Sequence, residues 1–230
     1  MILKIPITKK EKIKKEILKR TRMPKQGWLD ITDGINLKFD PYLLASAMTA
    51  ILDDFYKKGV RDVDILVTCE ASGNVLATLG VLALEQLGMT SKKPFALTFR
   101  KTESDEEPMF KLFHPTRSAS HGNRKKNIST RQDFLTEKRV LMIDDVLRDG
   151  ETAAAIKKMT EKVGGTFLGL GVIFRKIWLK DKQLKNLPSM PIISLIEVAS
   201  PSPEKFEELK RELRIKNLEF KTKNTLTLNP

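Results

Sequence analysis

Five short apolar runs punctuate the chain: DILVTC (64–69), FALTF (95–99), RVLMID (139–144), FLGLGVIF (167–174) and IISLIEV (192–198). Each is nearly continuous in hydrophobicity rather than alternating. A strand with one wet face alternates, whereas a strand buried on both faces does not. Between the runs lie segments with helical periodicity. Phe39-Asp40-Pro41 opens the clearest of them, with Asp40 suited to the N-cap and Pro41 to the first helical position. Leu43, Leu44, Ala47, Met48, Ile51, Leu52 and Phe55 then form one apolar stripe, and Gly59 supplies the stop. Asn74 to Leu87 is apolar nearly all round, which suits a core or subunit-interface helix. Glu151 to Val163 turns Ala153, Ala154, Ile156 and Met159 inward, and Ser202 caps a last helix that carries Phe206, Leu209 and Leu213. Double-buried strands alternating with helices predict an α/β domain with a parallel twisted sheet covered on both faces.

The 230 residues suffice for one domain with appendages. No apolar run is long enough for a membrane-spanning helix, and the first twenty residues mix Lys with Ile and Leu rather than forming a secretory signal. The lone Cys69 has no internal disulfide partner, which fits a cytoplasmic setting, and its place at the end of an apolar strand suits a small buried side chain. The net charge of +13 raises the question of a nucleic-acid partner. Residues 1–25 hold ten Lys/Arg against two Glu but no aromatic side chain, so this arm offers no surface for stacking bases. Ile13, Ile17 and Leu18 mark one stripe by which it can pack on the domain as a helix, and that reading is favoured over nucleic-acid binding. His114 and His121 lack partners at metal-ligand spacing, so no zinc site is expected. There is no Gly-Lys-Ser/Thr phosphate loop and no nucleophile-elbow serine, and GGTFLGLG opens a strand rather than a helix.

In open parallel sheets ligands bind beyond the carboxyl ends of the strands. Three polar clusters follow strands here: Glu70-Ala71-Ser72-Gly73, Arg100-Lys101, and Asp144 to Thr152. In the third, a strand ends in Asp144 and Asp145, and a turn containing Gly150 enters a helix. A helix start beside a glycine is an anion cradle. Two carboxylates just before it can accept hydrogen bonds from neighbouring hydroxyls. Hydroxyl acceptors beside a phosphate cradle describe a site for a ribose 5-phosphate.

VLMIDDVLRDGETAAA resembles the signature of type I phosphoribosyltransferases: an apolar strand, two acids, a short spacer, then a glycine-containing phosphate loop opening a helix. The resemblance implies a parallel sheet flanked by helices with a small hood subdomain. It implies that Asp144 and Asp145 hold the ribose hydroxyls, and that Arg148, Asp149, Gly150, Glu151 and Thr152 bind the 5-phosphate of 5-phosphoribosyl-1-pyrophosphate (PRPP). The likeness is strongest to the xanthine-using branch of the family and to related purine-repressor domains. ILVTCEASGNVLA resembles that branch's pyrophosphate loop, with Ala71, Ser72 and Gly73 on PRPP; FRKTE resembles its basic cluster, with Arg100 and Lys101 on pyrophosphate. INLKFDP and GLGVIFRK resemble its base-contacting elements, which implies Asn36, Leu29 and Lys176 around the purine. The implied activity is that of a glycosyltransferase: transfer of 5-phosphoribose from PRPP to a 6-oxopurine, xanthine first, with Mg²⁺ accompanying PRPP and a homodimer as the assembly. Adenine or hypoxanthine/guanine as the base, and a non-catalytic PRPP-sensing regulator, are the alternatives.

This sequence departs from the family pattern at Asp149, where Thr or Asn is usual, at Glu151, and at Glu103, where the basic cluster commonly continues. Acids beside a phosphate repel it unless they point away or pair, and Arg148 is the nearest partner. The organisation expected is a basic arm over 1–25, a phosphoribosyltransferase domain with hood elements over 26–200, and a helix and tail over 201–230. The stretch 116–130 is expected to serve as a lid or as an ordinary basic hairpin.

Overall fold

The structure, a computed structural model, describes residues 10–70, 73–102, 112–118 and 124–213, with backbone alone at 102, 112–118 and 124–126. Helix α1 (Lys10–Arg20) is followed by two small ribbons, β1 (Arg22–Lys25) antiparallel to β2 (Trp28–Asp30), and β3 (Asp33–Gly34) parallel to β4 (Lys38–Phe39). Next come α2 (Pro41–Lys57), β5 (Ile65–Cys69), α3 (Gly73–Gln86), β6 (Phe95–Thr102), β7 (Leu112–Ser118) and β8 (Arg124–Thr130). The remainder is β9 (Arg139–Leu147), α4 (Glu151–Lys162), β10 (Thr166–Lys176), the short α5 (Lys180–Asn186) and β11 (Ile192–Val198). A final helix, α6, spans 203–213.

The main sheet has seven strands in the order β11-β10-β9-β5-β6-β8-β7. All five predicted runs are its parallel strands. The sheet is not wholly parallel, however: β7 and β8 form an antiparallel hairpin added at the edge of β6. FHPTRS and RKKNIST are too polar to announce strands, and an edge hairpin needs no two-sided apolar burial to be stable there.

The continuous hydrophobicity of the central strands has the expected cause. Leu66, Leu141, Ile143 and Ile173 point into a core shared with α1, α2 and α3. Ile65, Val67, Val140, Met142, Leu170 and Val172 point into a second core under α4. Successive side chains on a strand face opposite ways, so both cores draw on the same strands. Ile13, Ile17 and Leu18 of α1 are all buried in the first core, so this helix is anchored by its apolar stripe. Asp40 caps α2 as predicted. Its Oδ1 accepts the Leu43 N–H at 3.1 Å, and Arg20 Nη2 sits 2.8 Å from its Oδ2. The Leu43 bond, helped by Arg20, holds this carboxyl below its ordinary pKa.

Candidate active site

Strand order locates the site. From β5 the chain moves outward through β6 on one side, and from β9 it moves outward through β10 and β11 on the other. The reversal falls between β5 and β9, where a crevice opens beyond the strand ends. The two strands pair only as far as Val67 opposite Met142, after which β9 continues against β10 alone. Asp144 and Asp145 lie on that continuation. A cleft of about 440 Å³ opens there, and both aspartates line it.

The two carboxylates are held from their own backbone. Asp145 N–H donates to Asp144 Oδ1 at 2.9 Å, and Val146 N–H donates to Asp145 Oδ1 at 2.6 Å. Burial, and then the like charge of Asp145, push the Asp144 carboxyl well above its ordinary pKa. Two adjacent carboxylates facing one cleft suit a ligand that brings hydroxyl donors.

The turn after β9 enters α4 through Gly150, whose φ of +85° is left-handed. A side chain there would also collide with Leu187, since a Cβ would come 2.8 Å from its Cδ1. Any other residue at position 150 is therefore strained by its φ and would have to displace the Leu187 side chain. The acids of the turn are paired: Asp149 Oδ2 meets Arg148 Nη2 at 2.5 Å, while its Oδ1 accepts the Glu151 N–H at a long 3.3 Å. Asp149 thus occupies one of the amides at the start of α4. Arg148, Asp149, Gly150, Glu151 and Thr152 all line the cleft.

On the β5–β6 side, Lys101 lines the cleft, and its N–H donates to Glu70 Oε2 at 3.1 Å. Glu70 also faces Arg100, with Nε 3.5 Å from Oε1. Arg100 is half-exposed and is not part of the cleft wall. Gly73 stands at the start of α3, also outside the wall, pressed so closely on Thr68 that a Cβ would overlap its hydroxyl. Ala71 and Ser72 lie outside the described residues. Cys69 is buried at the cleft floor, and desolvation pushes its thiol up to about 12, so it is inert.

The far end of the cleft is assembled from distant segments. Leu29, Ile31 and Asn36 descend from the N-terminal ribbons, and Lys176 ends β10. Lys176 Nζ donates to the Gly27 carbonyl at 2.7 Å, tying β10 to the β1–β2 turn. Burial, and then the charge of Arg148, lower the pKa of this ammonium. Asn36 Oδ1 is buried with no hydrogen-bond partner, an acceptor waiting for a donor. Trp28 lines this end while nearly half exposed, and the ring of Trp178 lies 5.8 Å from Lys176 Nζ.

Nothing in the sequence pattern announces α5, although it braces the turn that follows β9. Gln183 Nε2 donates to the Arg148 carbonyl at 2.6 Å, and Asn186 Nδ2 donates to the Asp149 carbonyl at 2.8 Å. KDKQLKN is a polar heptapeptide without periodicity, so nothing local marks these two side chains.

No protein-family profile matches the chain. It is 26% identical to the xanthine phosphoribosyltransferase of Listeria innocua over 179 residues, covering 77% of this chain and 87% of the relative. Over a shorter stretch of 62 residues it is 44% identical to the adenine phosphoribosyltransferase of Trichormus variabilis, covering 26% of this chain and 34% of that protein. Among solved structures, the adenine phosphoribosyltransferase of Rhodothermus marinus superposes with a TM-score of 0.62 at 21% identity, over 81% of this chain and 99% of that one. A mixed sheet flanked by helices, with its cleft at the strand-order reversal, is the phosphoribosyltransferase fold. The fold is thus that of the type I phosphoribosyltransferases, the family whose signature the Val140–Ala154 segment resembles, and enzymes of that name are the relatives the sequence matches.

Proposed function

We propose that the chain transfers 5-phosphoribose from PRPP to a 6-oxopurine, xanthine foremost, releasing pyrophosphate. The observation that carries this reading is one cleft with two chemically distinct ends. Asp144, Asp145 and the Gly150 turn stand at one, and Lys176 with the unpartnered Asn36 Oδ1 stands at the other. The first suits a phosphorylated sugar and the second a heterocycle. A volume of about 440 Å³ lies in the range of small-molecule sites.

In this mechanism a purine nitrogen attacks C1′ of the ribose as the bond to pyrophosphate breaks, and the electron pair of that bond leaves with pyrophosphate. Positive charge develops on the sugar, so positioning and charge placement carry the catalysis. Asp144 and Asp145 accept hydrogen bonds from the ribose hydroxyls. Lys101 faces the departing pyrophosphate, and Arg100, now paired with Glu70, would join it by swinging inward. The Gly150 turn and the start of α4 hold the 5-phosphate. Among the described residues no group of three potential ligands can cage a metal. The carboxylates of Asp144 and Asp145 would be the residues to hold a Mg²⁺ that arrives with PRPP. Bound there, Mg²⁺ supplies charge neutralisation of the leaving group.

Lys176 argues for an oxopurine. An ammonium has three N–H donors, of which one goes to Gly27. The rest suit an exocyclic oxygen, and Asn36 Oδ1 suits a neighbouring ring N–H. Adenine presents an amino group where an oxopurine presents oxygen. The short stretch of 44% identity to an adenine enzyme nevertheless makes adenine the base to test beside xanthine, guanine and hypoxanthine. A second reading, a PRPP sensor without turnover, is favoured by one observation: Asp149 sits on the Glu151 amide that a phosphate would use. Turnover with each base, PRPP and Mg²⁺ tests both. Nucleotide from xanthine is the expected result. PRPP binding without nucleotide from any base identifies the sensor. A homodimer in the cytoplasm belongs to the same reading and rests on the resemblance alone. Residues 119–123 of the expected lid lie outside the described residues, and the backbone of β7 and β8 on either side forms the edge hairpin.

A further inference from the structure

Gln183 is the only buried side chain of α5, with no exposed surface at all, in an otherwise solvated helix. A buried primary amide persists where its donors and acceptor are met, and here three bonds meet them. Its Oε1 accepts Arg175 Nε at 2.8 Å, and its Nε2 donates to the carbonyls of Arg148 at 2.6 Å and Lys176 at 3.0 Å. The amide's orientation follows from chemistry: a guanidinium only donates and a carbonyl only accepts, so the oxygen must face Arg175. Those two carbonyls belong to different ends of the cleft. Arg148 begins the turn that cradles the sugar phosphate, and Lys176 carries the ammonium at the base end.

We propose that Gln183 is a positioning residue that sets the spacing between the phosphate turn and the base-contacting end of β10, so that a ligand spanning both is gripped at both at once. The proposal rests on the phosphoribosyltransferase reading. It assigns α5 a task that neither β9 nor β10 can perform. The two strands are in register at Val172 opposite Asp144 and at Phe174 opposite Val146, with a last pair at Arg175 opposite Leu147. Beyond that pair the turn and the strand end diverge. Gln183 is the bridge across the divergence, and Arg175 holds the bridge in its orientation, with Nη1 3.7 Å from Glu197 Oε1 on β11. Asn186 is a useful contrast, since its side-chain bond reaches only the Asp149 carbonyl, on the phosphate side.

The test compares three ligands by titration calorimetry: ribose 5-phosphate for one end, the free purine for the other, and the nucleoside 5′-monophosphate spanning both. Q183E keeps an acceptor toward Arg175 but turns a second acceptor toward the two carbonyls. Two lost hydrogen bonds predict that Q183E binds the nucleotide about tenfold or more weakly. Each fragment should weaken by only about threefold or less, because a ligand held at one end does not depend on the spacing. N186A should instead weaken ribose 5-phosphate and the nucleotide by the same factor. Q183M keeps the volume, is expected to show the same pattern, and serves if Q183E does not fold. Nucleotide affinity unchanged in a folded Gln183 variant, or a loss already complete in one fragment, overturns the positioning role. If the unaltered protein binds neither the nucleotide nor ribose 5-phosphate, the phosphoribosyltransferase reading itself falls, and the two failures are thereby told apart.

Discussion

The two ends of the cleft are built in opposite ways. The end proposed for the sugar phosphate is one continuous stretch, Asp144 to Thr152, whose geometry is set by a strand end, a left-handed glycine and a helix start. The end proposed for the base gathers Leu29, Asn36 and Lys176 from places up to about 150 residues apart, joined by the Lys176–Gly27 bond. A contiguous site inherits its geometry from local backbone. An assembled one depends on the packing of the ribbons onto β10. The first end is therefore expected to be rigid and sensitive to chemistry, and the second to be sensitive to anything that loosens a long-range tie.

The largest expected effect is at the rigid end. Replacing both acids in D144N/D145N removes the charged acceptors proposed for the ribose hydroxyls, and kcat/KM should fall by about 10² to 10⁴, from charge-assisted bonds of ~1.5–3 kcal/mol each. The same change separates function from stability. Because the folded-state pKa of Asp144 is raised, the unfolded chain releases its proton first. Stability should fall as pH climbs from the ordinary carboxylate value of about 4 through the raised one. D144N should flatten that decline and raise Tm above neutral pH, as thermal melts across pH would record. A lower Tm would mean that the Asp144–Asp145 pair is structural.

At the assembled end, K176M should raise KM for the base by roughly tenfold to a hundredfold, the range for a hydrogen bond to a charged group. KM for PRPP should stay within about threefold if the two ends are separable in the ground state. The lowered pKa of Lys176 sharpens the comparison. The ammonium is lost at a lower pH than for an ordinary lysine, so base affinity should decline on the alkaline side earlier than usual, and K176M should lack that decline. Steady-state kinetics against pH checks both.

A smaller effect of opposite sign is expected at Asp149. D149T removes a carboxylate from the phosphate cradle and releases Arg148 from its 2.5 Å partner. KM for PRPP should drop by about tenfold or less, since the displaced pair is partly solvated. An increase in KM would show that the Arg148–Asp149 pair shapes the turn rather than blocking it. The smallest effect lies away from the cleft. D40A removes the cap of α2 and should cost about 1 kcal/mol, or roughly 2–4 °C in Tm, with kinetics unchanged.

The same contrast explains what could be read from the chain. The parallel strands were legible because burial on both faces demands continuous hydrophobicity, as in ILVTC of β5, where every residue is buried. The cap at Asp40 and the stripe of α1 were legible because both are local. The β7–β8 hairpin was not, because an edge pair takes its support from the neighbouring β6 and shows no apolar pattern of its own. Asn36, Leu29 and Lys176 were reached by resemblance alone. Composition does not bring them together, yet all three line the cleft. Arg100, marked by the same resemblance, is drawn aside by Glu70. Gln183 was out of reach: the bond to the Arg148 carbonyl spans 35 positions, and nothing in KDKQLKN distinguishes that glutamine from its solvated neighbours.

Periodicity and local chemistry alone thus determined the layered α/β architecture and the strand–turn–helix of Asp144 to Thr152, because those depend on which faces are buried and on a few adjacent dihedral angles. Tertiary structure decided that β5 and β9 part at the strand-order reversal, that Asp149 turns onto Arg148 and the Glu151 amide, and that α5 ties both ends of the cleft together. Each of these is a contact between groups whose nearness is a property of the packed chain. A sequence records such contacts only as isolated polar residues, and their partners are chosen when the layers close.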